Sequence, residues 1–284
     1  MKRPAFFSKL TILILIGLIG SLATTGRPAS AADAAKTIRI GGTGVALATM
    51  RTLGDSFRER HPGVDVKVFP SLGSSGGVAA LRNGDIDIAV VSKILSATEK
   101  AGLTVSEYGR TPLVFVTRDT NPVPRITLGQ IVDIYAGRTM RWPDGTPVRL
   151  VIRPPGESSN RLLEGISGEM KEAVTKAAAR PGLSIAVTDQ DNADLLEKLP
   201  GSFGVAPLCQ IVSEKRRLKS LPLYRPGAAE IPPTSDSYPY DYGLFLAVGP
   251  LSSPSTALFV EFVFSAEGQR ILARNGNIPA GRRR

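Results

Sequence analysis

Four short runs near the front of the chain are dense in apolar and β-branched residues: TIRIGG (37–42), VDVKVF (64–69), DIAVVS (87–92) and PLVFVTR (112–118). Their brevity and near-continuous hydrophobicity predict buried parallel strands, because a sheet covered on both faces has no polar side to alternate with. Between the first two, VALATMRTLGDSFRER (45–60) repeats its apolar positions at helical spacing through Ala46, Met50, Leu53 and Phe57. GGVAALRNG (76–84) predicts a shorter helix closed by Gly84. A βαβαβ order of this kind predicts a doubly wound parallel sheet.

The pattern restarts after the break TNPVPR (120–125). Thr127 and Gln130 form a capping box that opens the helix TLGQIVDIYAG. Strand VRLVIR (148–153), helical RLLEGI (161–166) and EMKEAVTKAAA (169–179), strand LSIAVT (183–188) and helix DNADLLEKL (191–199) follow. PGSFGVAP (200–207) reads as turn-rich, and YRPGAAEIPPTSDSYPYD (224–241) as a linker. One more strand, YGLFLAV (242–248), and a helical tail, FVEFVFSAEGQRILARNG (259–276), remain. A lone strand with helices must pack on an earlier sheet, so the chain is expected to return to its first unit. The expected fold class is α/β, with two doubly wound lobes joined by a double crossover. Residues 32–118 with 242–284 form lobe 1, and 119–241, including the return linker, form lobe 2.

Residues 1–31 are expected to be a leader rather than part of that fold. A basic start, 13 almost wholly apolar or small residues (TILILIGLIGSLA) and Ala29-Ser30-Ala31 match a signal peptide cleaved after Ala31. The apolar run is short for a membrane anchor. The expected location is therefore periplasmic. The full chain carries a net charge of +10. Lys2, Arg3, Lys9 and Arg27 leave with the leader, and the remainder is only mildly basic, which is compatible with an anionic ligand and is weak evidence for nucleic acid, so no nucleic-acid partner is expected. The cluster EKRRLK (214–219) and the terminal GRRR read as solvated surface. Cys209 and His61 are the only cysteine and histidine, so an internal disulfide is impossible, and a zinc site or a histidine-dependent triad is hard to build.

Three turns rich in glycine or hydroxyls each join a strand end to a helix start: GGTG (41–44), GSSGG (73–77) and RPPGESSN (153–160). Such turns collect outside the carboxyl ends of parallel strands, where ligands bind. Helix N-termini offer free N–H groups to an anion, and Arg153 adds a planar fork for two oxygens. Each turn alone could be a connection and nothing more. Gly73-x-Ser75-x-Gly77 also matches a nucleophile elbow, but the only histidine precedes it and no base is in prospect to activate the serine. GGTGVA resembles the start of a dinucleotide fingerprint but has Leu47 where the third glycine belongs, so no cofactor is expected.

GSSGGVAALRNGDIDIAVVS, ITLGQIVDIYAGRTMRW (126–142) and FVEFVFSAEGQRIL together resemble the type II periplasmic binding proteins of ABC transporters, in particular the phosphate-binding branch. That resemblance implies two α/β lobes closing on an oxyanion, a membrane permease as partner, a monomer and no catalysis. It implies ligand contacts at Thr43 and Gly44 in the first turn, and at Ser74 with Ser75 in the second. In the second lobe it implies Arg153, with Ser159 in place of the family's Thr as a hydroxyl donor; Ser158 beside it is a further candidate contact. The sequence departs from the branch at two places: Ser92 stands where an Asp is expected, and Glu157 where a Ser is expected. Phosphate is the first choice of ligand. Sulfate, molybdate or tungstate, a small organic anion, and a sensory role for the same fold stay open.

Overall fold

A computed structural model describes residues 37–235 and 237–280; the leader and the terminal arginines lie outside the described residues. In lobe 1, β1 (Thr37–Gly42), α1 (Gly44–Arg60), β2 (Asp65–Val68), α2 (Gly73–Arg82) and β3 (Ile88–Val91) follow the expected order, with the one-turn helix α3 (Ala97–Lys100) after them. β1 pairs in parallel with β2 and with β3. Ala46, Met50, Leu53 and Phe57 are all buried, so the stripe read from the sequence is the core face of α1. Phe57 packs edge-on against Phe259, 5.3 Å away, which ties α1 to the C-terminal helices.

The next strand departs from expectation. β4 runs without interruption from Thr104 to Arg118, taking in both a segment unassigned from sequence and the expected strand 112–118. It is antiparallel to its neighbours rather than parallel. Its first half pairs with β9 (Asp241–Val248), and its second half pairs with β7 (Ser202–Pro207) and β8 (Leu218–Ser220). A sheet strand buried on both faces looks equally apolar in either direction, so direction was not readable from composition. β4 and β9 together carry the sheet from one lobe into the other, in the strand order β2-β1-β3-β9-β4-β7, continued by β5 (Arg149–Ile152) and β6 (Ser184–Ile185).

Lobe 2 contains α4 (Leu128–Tyr135), β5 (Arg149–Ile152), α5 (Ser158–Glu164), α6 (Gly168–Ala179), β6 (Ser184–Ile185), α7 (Asp189–Lys198), β7 and α8 (Leu208–Ser213). The Thr127–Gln130 capping box is present in full at the start of α4. PGSFGVAP is not a turn. Ser202–Pro207 is a strand in which every residue is buried. Its small residues serve packing: a Cβ on Gly204 would meet the Val151 carbonyl oxygen at 2.9 Å. Phe203 lies at the centre of this core, with Trp142 at 5.8 Å and Phe115 and Tyr135 each at 6.3 Å. The expected linker is also tied down, since Tyr238 is fully buried and donates its hydroxyl to the Leu113 carbonyl at 3.0 Å. EKRRLK is not all solvated: Arg216 bridges Asp194, Glu197 and Glu214. The chain ends in α9 (Pro254–Phe264), α10 (Ala266–Arg274) and the two-residue β10 (Ile278–Pro279), which pairs with β4.

Phe203→Ala should remove about 3–5 kcal/mol from the unfolding free energy, because it empties the ring contacts of a fully buried aromatic. Urea denaturation measures this. A loss below about 1 kcal/mol would show that the lobe 2 core does not depend on this strand.

Candidate functional site

One wall of the cleft is built by close backbone packing. Gly42 ends β1 at φ +132°, and a Cβ there would lie 2.0 Å from the Val90 carbonyl oxygen. A Cβ on Gly77 would lie 2.6 Å from the Gly42 Cα, so α2 can lie against the β1 turn only without a side chain at that position. GSSGG is therefore the first turn of a helix packed on a neighbouring loop. That packing brings three hydroxyls together. The Thr43 Oγ1 is 3.2 Å from the Ser92 Oγ, and the Ser74 Oγ is 3.4 Å from the same atom. Ser74 also accepts the Ser92 backbone N–H at 3.1 Å. Ser75 accepts from the Lys93 Nζ at 3.0 Å, and Lys93 pairs with Glu99 at 2.7 Å.

The opposite wall carries the charge. Arg153 follows the end of β5 with only 6% of its side chain exposed. Its Nη1 donates to the Ala186 carbonyl at 2.6 Å. Its Nη2 lies between two carboxylates, 3.4 Å from Glu157 and 3.6 Å from Asp189. Asn160 holds the turn in shape by donating to the Arg153 and Pro154 carbonyls at 2.9 and 2.8 Å. Arg161 donates to the Gly156 carbonyl and, at 3.3 Å, to the Ser158 hydroxyl.

These walls enclose a cavity of about 440 Å³. Thr43, Ser74, Ser75, Ser92, Arg153, Glu157, Ser158 and Ser159 all line it. Gly44 does not. It faces the start of α7, where a Cβ would meet the Gln190 side chain at 2.5 Å and the Asp189 carboxylate at 3.0 Å. Here the lobes touch: Gln190 donates to the Gly44 carbonyl at 3.2 Å, and the Val45 N–H donates to Asp189. Sequence reasoning missed Asp189. Burial pushes its carboxyl up from the ordinary range, and Arg153 partly opposes that shift. The available signal was Thr188 with Asp191, a capping box immediately after a strand, which makes a fourth strand-to-helix turn.

The hydroxyls and cations suit an anion that accepts hydrogen bonds. Ser75 has Lys93 as its hydrogen-bond partner, while His61 caps the far end of α1, ~25 Å from the cleft at 1.5 Å per residue. Among the described residues, no three His, Cys, Asp or Glu side chains group as a metal site, and no helix is long and apolar enough to cross a membrane.

A mixed α/β architecture with a cleft between two lobes, crossed by long antiparallel strands, is that of the type II periplasmic binding proteins. The chain belongs to the family described as the PBP superfamily domain, which matches residues 27–267. Among solved structures it resembles a substrate-binding protein from Clostridium perfringens that holds bound phosphate. The TM-score is 0.70 at 23% identity, covering 86% of this chain and 99% of that one. It also resembles an ABC-type phosphate transport receptor from Vibrio cholerae, with a TM-score of 0.57 at 23% identity, covering 85% of this chain and 99% of that one. Among curated proteins it is similar to the phosphate-binding protein PstS 2 of Streptococcus pneumoniae serotype 4. That match is 25% identical over 103 residues, covering 36% of this chain and about a third (35%) of that protein's length.

Glu99 offers a check on the hydroxyl wall. The Lys93 ammonium and the Ser96 backbone N–H hold its carboxyl down to about 2. A folded value below the unfolded one means the pair contributes stability above the ordinary carboxylate range and loses it as pH falls toward that value. Carbon-detected NMR should place the Glu99 midpoint near 2, and Lys93→Met should return it toward 4.5. An ordinary midpoint in the unmodified protein would show that Lys93 is not held where the structure has it.

Proposed function

We propose that this chain captures a tetrahedral oxyanion in the cleft, phosphate before any other, and delivers it to an ABC permease in the membrane. The observation that carries the reading is the convergence of the Thr43, Ser74 and Ser92 hydroxyls opposite the buried Arg153 in one cavity. An oxyanion presents acceptors in several directions at once. Hydroxyls on one side and a guanidinium on the other meet that demand with donors. Phosphate is the anion bound by, or named for, the relatives described above. In this reading residues 32–118 with 242–284 and residues 119–241 are the two bodies that close on the ligand. The protein acts as a monomer in the periplasm after removal of residues 1–31, without chemistry of its own.

Arg153→Ala should weaken the binding of inorganic phosphate by about 2–5 kcal/mol in calorimetry, the usual cost of removing one partner of a desolvated charge pair. Arg153→Lys should recover only part, because an ammonium cannot reproduce the fork. Unchanged affinity in Arg153→Ala would place the ligand somewhere other than this cleft.

A further inference from the structure

The cavity between the lobes is larger than the anion its polar walls are built to hold. A bare tetrahedral oxyanion displaces only a few waters, at ~30 Å³ each. The cleft encloses about 440 Å³, within the range of pockets that take a whole organic ligand. This is not the volume of a cleft swung wide, because the lobes already touch through Gln190 with Gly44 and through Asp189 with Val45. The lining also has an apolar part. Leu72 and Val187 both line the cavity, one from each lobe, yet Leu72 is 44% exposed and Val187 69%. Ile94, two residues after Ser92, and Ile185, next to Ala186, are exposed as well. The backbone that sets the anion cradle also sets the apolar pair. The Leu72 N–H donates to the Gly42 carbonyl at 3.0 Å, just ahead of Ser74. Val187 follows Ala186, whose N–H donates to the Ile152 carbonyl at 2.9 Å and whose own carbonyl accepts from Arg153. Single exposed apolar residues are ordinary on a protein surface, but two that line one anion-binding cavity mark a place where a ligand's carbon can be buried.

We propose that the cleft takes a phosphate monoester with a short apolar arm and holds it more tightly than bare phosphate. The phosphoryl group sits between Arg153 and the Ser74 and Ser92 hydroxyls, and the arm lies against Leu72 and Val187. The proposal rests on the oxyanion reading above and extends the ligand at its carbon end. An ester keeps its unesterified oxygens as acceptors for the donors on both walls, so the anion cradle is used unchanged. Burying the arm takes apolar surface of ligand and protein out of water together, which a bare anion cannot do. Leu72 and Val187 stand on different lobes, so an arm that touches both also holds the lobes together.

Calorimetry with inorganic phosphate and with methyl, ethyl and n-butyl phosphate, on the unmodified protein and on Val187→Ser and Leu72→Ser, tests this. Both positions are exposed, so the variants should fold, and a thermal melt checks that they do. Affinity should rise by roughly 2–4-fold with each methylene from methyl to n-butyl phosphate, as expected for carbon leaving water. The n-butyl ester should bind more tightly than inorganic phosphate. Val187→Ser and Leu72→Ser should each flatten the rise along the ester series. A flat or falling series in the unmodified protein overturns the proposal while inorganic phosphate still binds, and leaves the oxyanion reading standing. Tighter binding of inorganic phosphate than of every ester overturns it in the same way. An equal loss of affinity for inorganic phosphate and for n-butyl phosphate in both variants also overturns it, because the two side chains would then close the cleft rather than touch the arm. If neither inorganic phosphate nor any ester binds the unmodified protein, the oxyanion reading itself fails and this inference falls with it.

Discussion

A guanidinium that is almost wholly out of water must be satisfied by the protein around it, and the cleft is organised around that requirement at Arg153. An unpaired buried charge would be expensive, and Arg153 avoids that state through the Ala186 carbonyl and two carboxylates. Each partner comes from a different element: the end of β6, the turn into α5 and the first residue of α7. The same residue thus fixes the relative positions of three segments. Asp189 extends the arrangement across the cleft to the N-terminus of α1, where the partial positive charge of the helix favours a carboxylate. The charge balance at this point belongs to neither lobe alone.

The facing wall solves a different problem, that of bringing hydroxyls together without bulk. Gly42 and Gly77 allow two backbone segments to touch, and that contact places Thr43, Ser74 and Ser92 within reach of one another. A side chain at Gly77 would push α2 off the β1 turn, and one at Gly42 would run into the Val90 backbone of β3; either change breaks up the cluster. The opposed walls differ in kind: one offers neutral donors that can rotate to suit a ligand, and the other a fixed charge. That asymmetry suits capture and release, since reorientable hydroxyls and a charge already paired hold an anion without covalent commitment.

Much of this was legible beforehand. The helical stripe through Ala46, Met50, Leu53 and Phe57 and the Thr127–Gln130 cap are local signals, and local signals survive into the fold. The three strand-to-helix turns reach the same cleft because strand ends in an open sheet gather on one side. What was not legible depends on distant partners. The antiparallel direction of β4 is set by β9, about 130 residues later, and no window around PLVFVTR contains that information. PGSFGVAP reads as turn because its glycines and prolines dominate the composition, although Gly204 is small to admit Val151. Asp189 was missed because a carboxylate at a helix start is an ordinary capping feature. Only the fold shows that Arg153 and Val45 meet it there.

A crystal structure of the protein with inorganic phosphate tests the central claim most directly. The account predicts an anion in the cleft with oxygens within hydrogen-bonding distance of Arg153 on one side and of Ser74 or Ser92 on the other. Phosphate bound elsewhere, with Arg153 still held by Ala186, Glu157 and Asp189 alone, would contradict it.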